Sequence, residues 1–413
     1  MRRVVVTGLG VVSPVGQSTD AFFDSLISAR SGVGPIRAAF ADQLRIPIAA
    51  QVLDFDPALH FPSKRLSQLD RFSQFSLVAA RQAWAEAGIG ALAQPEACGT
   101  YWGTGLGGAQ TLEAGYEDLF VKHLNRVKPL SVIACMPNAA AANVAIEFGL
   151  QGPCYTYTIA CASSAVAVGE AFRAISAGSL DMAIAGGAES FLTLGILKAW
   201  EALMTLAVVD KADPASSCRP FAKDRTGFVP GEGAGALVLE AYDHAVARGA
   251  NILGELVGYG FANDATHLSC PEQAGQMRGM RMALAEAGKR GLEPAEIGYI
   301  NAHGTATKVG DKVETESIKA VFGDQAAHLP VSSTKALHGH LMGAGGAIEL
   351  IATLLSLQRK IVPPTAHLYA PDPDCDLDYV PLKSRHLPQL RAAMSNSFAF
   401  GGSNAVLIAR TVA

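Results

Sequence analysis

The chain has 413 residues, of which 49% are hydrophobic and 17% are charged, and its formal net charge is −4. This composition is typical of a globular protein with two or three cores and excludes a disordered chain. The weak charge gives no reason to expect nucleic acid or an anionic membrane as a partner. The seven cysteines include no Cys-x-x-Cys pair, which favours a reducing cytoplasm, and no apolar run reaches the ~20 residues of a membrane span.

Short apolar runs alternate with alanine-rich stretches along the whole chain. The runs have the length of strands buried on both faces, and the alanine-rich stretches have helical spacing, so the sequence predicts an α/β fold. The predicted strands are residues 4–8, 182–187, 236–240, 297–301 and 405–409, and the predicted helices are residues 65–88, 163–178, 278–288 and 344–357. A helix followed by a strand recurs in each half, which suggests an internal duplication with a boundary near residues 250–260.

Two glycine-rich stretches, residues 8–16 and 103–108, are similar to phosphate-binding or dinucleotide loops. Neither completes the Gly-x-Gly-x-x-Gly pattern with an acidic residue ~20 positions later. We therefore predict that these glycines allow strands and helices to pack closely.

Cys161 stands between a β-branched and aromatic run, residues 155–159, and a helical run that begins at Ala162. This places the sulfur at a strand-to-helix turn, near the N-terminus of a helix. The helix dipole and free N–H groups there favour a thiolate and can hold the oxyanion of a tetrahedral intermediate. A buried structural cysteine is the alternative, as it is for most cysteines.

Two histidines of the second half stand at positions that suit a ligand site. His303 follows the predicted strand 297–301, at the sheet edge where open α/β folds bind ligands. His340 lies in a glycine-rich stretch before a helix that carries Glu349, with which Lys335 could pair. Taken singly, His303 also fits a hydrogen-bonded turn histidine, and Lys335 a solvated surface lysine. A cysteine together with two histidines predicts thiolate chemistry on an acyl group.

A metal site is an alternative use of the same side chains. His338, His340, His303 and Cys161 are all possible zinc ligands. No carboxylate lies at a familiar ligand spacing, however, and the glycines around His340 favour access of a substrate. We therefore predict no metal.

Taken together, these segments resemble the β-ketoacyl-ACP synthases of the elongating (synthase I/II) group in the thiolase superfamily, over essentially the whole chain. The motifs are residues 160–164 (Ala-Cys-Ala-Ser-Ser), 301–305 (Asn-Ala-His-Gly-Thr), Lys335 with 339–340 and 343–344, and 400–402 (Phe-Gly-Gly). The resemblance implies a duplicated, five-layered αβαβα thiolase fold. Residues 1–252 would form the half with the nucleophilic cysteine, and residues 253–413 the half with the two histidines.

The resemblance also implies the chemistry. Cys161 would carry the growing acyl chain as a thioester. His303 and His340 would assist the decarboxylation of a malonyl group and stabilise the enolate that attacks the acyl-enzyme. Backbone N–H groups of Cys161 and Phe400 would form the oxyanion hole, and the loop of Phe400 would gate access. No cofactor is implied, because the substrates travel on the phosphopantetheine of acyl carrier protein.

Supporting and substrate-binding roles follow from the same resemblance. Lys335, braced by Glu349, would organise the histidines, while Thr305 and Thr307 would hold the phosphopantetheine arm. Cys270 stands where a pantetheine-contacting Thr or Ser is common.

The predicted acyl pocket, residues 191–206, departs most from fatty-acid synthases. Its bulky Trp200 favours a specialised polyketide or aryl-polyene synthase. Leu106 is a further predicted substrate contact. Residues 398–402 read Phe-Ala-Phe-Gly-Gly where Phe-Gly-Phe-Gly-Gly is usual, which predicts a stiffer gate.

Acyl carrier protein is the implied partner, and the family implies a homodimer or a heterodimer with a related ketosynthase-like chain. Because carrier proteins are acidic, Lys64 and Arg65 are predicted to dock them, with a solvated helix face as the alternative.

Two other functions stay open: a non-catalytic or partner-dependent subunit of a ketosynthase/chain-length-factor complex, and a coenzyme A thiolase-type acyltransferase. Cys161 and both histidines weigh against the first. A second late histidine, where thiolases have a cysteine, weighs against the other.

Overall fold

The computed structural model describes residues 1–412 of the chain. Its strands are β1 (Val4–Val12), β2 (Val33–Pro35), β3 (Ile48–Ala50), β4 (Cys98–Gly103), β5 (Cys154–Tyr157), β6 (Met182–Glu189), β7 (Gly233–Ala241), β8 (Gly254–Asn263), β9 (Ile297–Asn301), β10 (Val331–Ser332), β11 (Ile361–Val362), β12 (Arg385–His386), β13 (Ala392–Ala399) and β14 (Ser403–Arg410). Its α-helices are α1 (Thr19–Ile27), α2 (Ser63–Leu66), α3 (Arg71–Ala87), α4 (Ala109–Tyr116), α5 (Ser131–Cys135), α6 (Ala139–Phe148), α7 (Ser163–Ser176), α8 (Leu194–Leu203), α9 (Tyr242–Ala247), α10 (Gln273–Gly288), α11 (Lys308–Phe322), α12 (Lys335–His338) and α13 (Gly345–Arg359).

All five predicted strands are present, four of them longer than predicted. The helix predicted over residues 65–88 is wrong at its start, because α2 and α3 are separate there. Asp70 divides them: its carboxylate accepts a hydrogen bond from the N–H of Phe72 and caps α3. A short acidic side chain binds backbone N–H groups in this way at helix starts and disfavours the helix interior.

Ten strands form one hydrogen-bonded sheet in the order β10-β9-β13-β14-β8-β1-β7-β6-β4-β5. In its middle, β1 and β8 pair antiparallel over only three residues. Read outward from this pair, both halves have the same order: the half's first strand, then its fifth, fourth, second and third. The shared order shows the duplication that the sequence suggests. The boundary after residue 252 stays a prediction.

Helices cover both faces of each half of this sheet, the five strands on either side of the boundary between β1 and β8. On one outer side α3 packs against β1 and β7, and on the other α10 packs against β8 and β14. Between the halves, α7 and α13 pack against each other and supply much of the central apolar core. This is the predicted five-layered αβαβα arrangement, and it places the ends of α7 and α13 at the junction of the halves. Residues 1–412 contain no helix that is long and apolar enough to cross a membrane.

The first glycine-rich stretch serves packing, as predicted. A Cβ at Gly8 would lie 1.9 Å from the carbonyl oxygen of Ala83, and a Cβ at Gly10 would lie 1.9 Å from that of Ala79. Both carbonyls belong to α3. Only glycine therefore lets β1 approach this helix so closely.

Candidate active site

The three predicted segments meet at the junction of the two halves. Cys161 precedes α7, His303 follows β9, and His340 lies between α12 and α13. The sulfur of Cys161 and one nitrogen of each imidazole lie within 4.8 Å of one another, and all three side chains are buried. The structure thus brings the predicted nucleophile and both histidines together.

Cys161 lies on a sharp turn between strand and helix, as predicted. Ala160 has a left-handed backbone (φ +42°) that redirects the chain from β5 into α7. The hydroxyl of Ser163 holds this turn by donating to the carbonyl of Ala160 (2.7 Å) and accepting from the N–H of Ile159 (2.8 Å). The turn aims the sulfur at the histidines.

The thiol of Cys161 is not acidified in the resting structure, in contrast to the expectation from the helix terminus. Burial raises its pKa to about 12, because a thiolate loses its hydration there. The charge of Lys335 and the N–H of Phe400 act in the opposite direction. The resting form is therefore the thiol, and the anion is stabilised only by groups that face the sulfur.

The hydrogen bonds of His340 define its tautomer. Its Nδ1 accepts from the N–H of Met342 (3.3 Å), so the ring proton resides on Nε2, 2.9 Å from the sulfur of Cys161. Met342 adopts φ +43°, a left-handed backbone that costs about 1–2 kcal/mol in a non-glycine residue. The strained turn therefore presents His340 as an N–H donor toward the sulfur.

His303 is a second neutral imidazole, set perpendicular to the first. The two ring centroids are 5.5 Å apart at 82°. Burial, followed by the charge of Lys335, holds the pKa of each histidine well below its ordinary value. Both rings therefore stay uncharged at neutral pH.

Glu314 positions His303 through the backbone, a role that sequence reasoning missed. Its carboxylate accepts from the N–H groups of His303 (2.9 Å) and Gly304 (2.8 Å). The sequence does contain a signal for it: Glu314 lies four and eight residues before Ile318 and Phe322, on the apolar face of α11. A carboxylate on a buried apolar face needs hydrogen-bond donors, which indicates a positioning role.

Lys335 and Glu349 form the predicted ion pair, and each side chain is only 1% exposed. The alternative of a solvated surface lysine is thereby excluded. Burial raises the pKa of Glu349, and the ammonium of Lys335 opposes this rise. The pair places a fixed positive charge beside the two histidines.

Aromatic rings enclose the sulfur on the side of Phe400. The N–H of Phe400 faces Cys161, and its ring stacks on Trp200 with centroids 6.1 Å apart at 26°. Trp200 also meets the edge of Phe228, whose ring contacts His340. Trp200 thus joins the aromatic wall around the reacting atoms.

A cavity of about 300 Å³ leads from Cys161 to the protein surface. Thr305, Thr307 and Cys270 line it, and the two threonine hydroxyls are 3.1 Å apart.

Three other residues predicted to bind substrate or carrier protein lie outside this cavity. Leu106 is 44% exposed on the loop after β4, and Lys64 and Arg65 lie in α2, where Arg65 pairs with Glu147.

The cluster of Cys161, His303 and His340 also has the composition of a metal site. Metal binding through Nε2 of His340 would require the proton to move to Nδ1. That shift would break the hydrogen bond from Met342. The local geometry therefore suits proton-bearing donors better than metal ligands.

Comparison with known proteins decides the family. Residues 1–245 match the model of the β-ketoacyl synthase N-terminal domain, and residues 253–369 match that of the C-terminal domain. The chain belongs to the β-ketoacyl synthase family. It is an acyltransferase of the ketosynthase type, as the resemblance implied.

Relatives of this ketosynthase align over nearly their full length. It is 40% identical over 410 residues to the 3-oxoacyl-[acyl-carrier-protein] synthase 2 of Staphylococcus aureus (strain COL), covering 98% of each chain. Two solved structures match it at TM-score 0.90 with full coverage of both chains. One is the ishigamide ketosynthase/chain length factor (34% identity). The other is a type II PKS acyl-carrier protein in complex with its ketosynthase bound to the hexaketide (30% identity).

Proposed function

We propose that the protein is a β-ketoacyl-[acyl carrier protein] synthase, which condenses malonyl-carrier protein with an acyl chain held on Cys161. The convergence of one thiol and two neutral imidazoles at the end of a cavity carries this proposal. In the first half-reaction the sulfur attacks the acyl thioester, and the carrier's thiol leaves with the proton of Cys161. The N–H groups of Cys161 and Phe400 hold the oxyanion.

In the second half-reaction the malonyl group loses CO2, and the electron pair of the broken C–C bond forms an enolate. The Nε2–H of His340 and a ring N–H of His303 donate to the enolate oxygen. The enolate carbon attacks the acyl thioester, a C–C bond forms, and Cys161 leaves as thiolate. Neutral imidazoles suit this step, because an imidazolium would hold the malonyl carboxylate as an ion pair and oppose its loss.

The cavity suits a phosphopantetheine arm. Thr305 and Thr307 offer hydroxyls to its amides, Cys270 lies near the exposed end, and Trp200 borders the acyl chain. The arm belongs to acyl carrier protein, the partner found with the ketosynthase of the hexaketide complex. Docking through Lys64 and Arg65, substrate contact by Leu106, the absence of a resident cofactor and a cytoplasmic location stay predictions.

The test combines this protein with carrier proteins that bear saturated, unsaturated and aryl-primed acyl chains. We expect an acyl adduct on Cys161 by intact-mass analysis and release of CO2 from malonyl-carrier protein. Cys161→Ala should give no adduct yet still decarboxylate. If no chain of the panel acylates Cys161, the proposal is wrong, and turnover of acetyl-CoA without malonyl decarboxylation would favour the thiolase alternative.

The segment 106–136, with the edge strand β5, forms an apolar face that we propose a second ketosynthase-like chain covers. Phe120 is 71% exposed, Val121 69% and Val132 64%, and the outermost strand β5 leaves backbone groups unpaired. Continuous exposed apolar surface and open strand edges are typical of interfaces. A related chain is a chemically suitable partner, since the same face on both chains is self-complementary.

For a covering chain that is a second copy of this one, Phe120→Glu with Val121→Glu is expected to convert the homodimer to a monomer, because two charges would be buried at the interface. Light scattering during gel filtration measures the mass. Val246→Glu, at a 52% exposed residue of α9, is the control and should leave the dimer intact. A wild-type chain that is monomeric at all concentrations, or a dimer that survives the double change, contradicts this prediction.

A further inference from the structure

Glu189 is the last residue of β6 and is fully buried, and the mechanism above assigns it no role. Its carboxylate accepts hydrogen bonds from the N–H groups of Gly105 (2.6 Å), Leu106 (3.1 Å) and Gly343 (3.0 Å). The hydroxyl of Thr104 donates a fourth (3.3 Å). Burial raises the pKa of Glu189 to about 7, and these donors oppose the rise. One carboxylate thus ties the loop after β4 to the segment after His340.

The bond to Gly343 is important because of the residue before it. Met342 has the left-handed backbone whose N–H holds Nδ1 of His340. A left-handed non-glycine residue persists only where its surroundings fix it. Glu189 fixes the peptide group that joins Met342 to Gly343, because it accepts the N–H of Gly343. A Cβ at Gly343 would lie 2.4 Å from the N of Gly105, so the segment after His340 and the loop after β4 are in close contact.

We propose that Glu189 is a positioning residue, which holds the strained turn at Met342 and thereby keeps the proton of His340 on Nε2, facing the reacting atoms. This inference rests on the proposed function, because it concerns the donor of the decarboxylation step. Without the carboxylate the turn relaxes, the N–H of Met342 leaves Nδ1, and either imidazole nitrogen can carry the proton.

Glu189→Gln tests this role with nearly unchanged shape. The single acceptor oxygen of the amide can serve either Gly105 with Gly343 or Thr104 with Leu106, and its NH₂ group then faces the other two donors, so the four bonds of the carboxylate cannot all be kept. We expect decarboxylation of malonyl-carrier protein to fall about 10- to 100-fold, less than the ~10²–10³-fold expected for loss of a donor itself. Acylation of Cys161 should change by less than about threefold, because the charge of Lys335 and the N–H of Phe400 still stabilise the thiolate and other N–H groups hold its oxyanion.

Glu240 provides a matched control. It is also fully buried, but it lies in β7, opposite Met182 at the first residue of β6. Met182 is about 20 Å along β6 from Glu189. Glu240→Gln also removes a buried charge, there beside Arg248, and should leave the ratio of decarboxylation to acylation at the wild-type value. If Glu189→Gln lowers both half-reactions equally, or neither, Glu189 has no positioning role.

The tautomer of His340 gives a readout in the wild-type protein, independent of whether the variant folds. ¹⁵N NMR of labelled histidine, assigned with His340→Ala, should show Nδ1 unprotonated and Nε2 protonated. A proton on Nδ1 overturns the inference. Absence of both half-reactions in the wild type would instead refute the proposed function, so the two failures are distinguishable.

Discussion

His340→Ala is expected to lower the rate of malonyl decarboxylation about 10²- to 10³-fold, the usual effect of removing one donor to a developing oxyanion. His340 is the group whose N–H direction is best defined, with Nδ1 bound by Met342 and Nε2 2.9 Å from the sulfur. His303→Ala should have a similar effect, because its ring borders the same space. Release of CO2 from malonyl-carrier protein, measured with Cys161 intact, gives the rate.

His338 is the matched control, since it is a buried, neutral histidine of the same segment. Burial lowers its pKa to about 3, and its nitrogens meet the hydroxyl of Thr334 and the carbonyl of Gly339. It does not line the cavity. His338→Gln should therefore stay within about threefold of the wild-type rate per folded molecule. Equal losses at 338 and 340 would mean that the effect of His340→Ala is structural.

Sequence predicted the placement of the site residues well, because this placement depends on residue type next to strand and helix ends. Cys161, His303, Lys335 and Glu349 are where strand-to-helix turns and local spacing place them. The resemblance extended this to Phe400, whose N–H indeed faces the sulfur.

Properties that depend on long-range packing could not be predicted in this way. The helix terminus suggested an acidic thiol at Cys161, but burial between the two halves has the larger effect. The strained turn at Met342 and the carboxylate of Glu189 belong to segments 153 positions apart, which only the fold brings together. Similarly, only the fold shows that Leu106 lies outside the cavity of Cys161.

Lys335→Met is expected to lower the free energy of unfolding by about 3–5 kcal/mol, because it leaves the carboxylate of Glu349 buried without its partner. The variant should also react more slowly. The charge of Lys335 helps to keep the pKa of His303 and of His340 low, so both pKa values should rise without it. A group with a raised pKa takes up a proton at higher pH. The acid limb of the decarboxylation profile should therefore move to higher pH.

Lys335→Met combined with Glu349→Leu separates stability from catalysis. An apolar pair in place of a buried ion pair is often neutral or stabilising, so the double variant should recover to within about 1–2 kcal/mol of the wild type in chemical denaturation. Its decarboxylation should nevertheless stay slow and its acid limb displaced, because no fixed charge remains beside the histidines. If the wild-type rate and pH profile return together with the stability, then Lys335 only fills space and balances Glu349. The persistence of a kinetic defect in a stable protein would assign its charge to the chemistry.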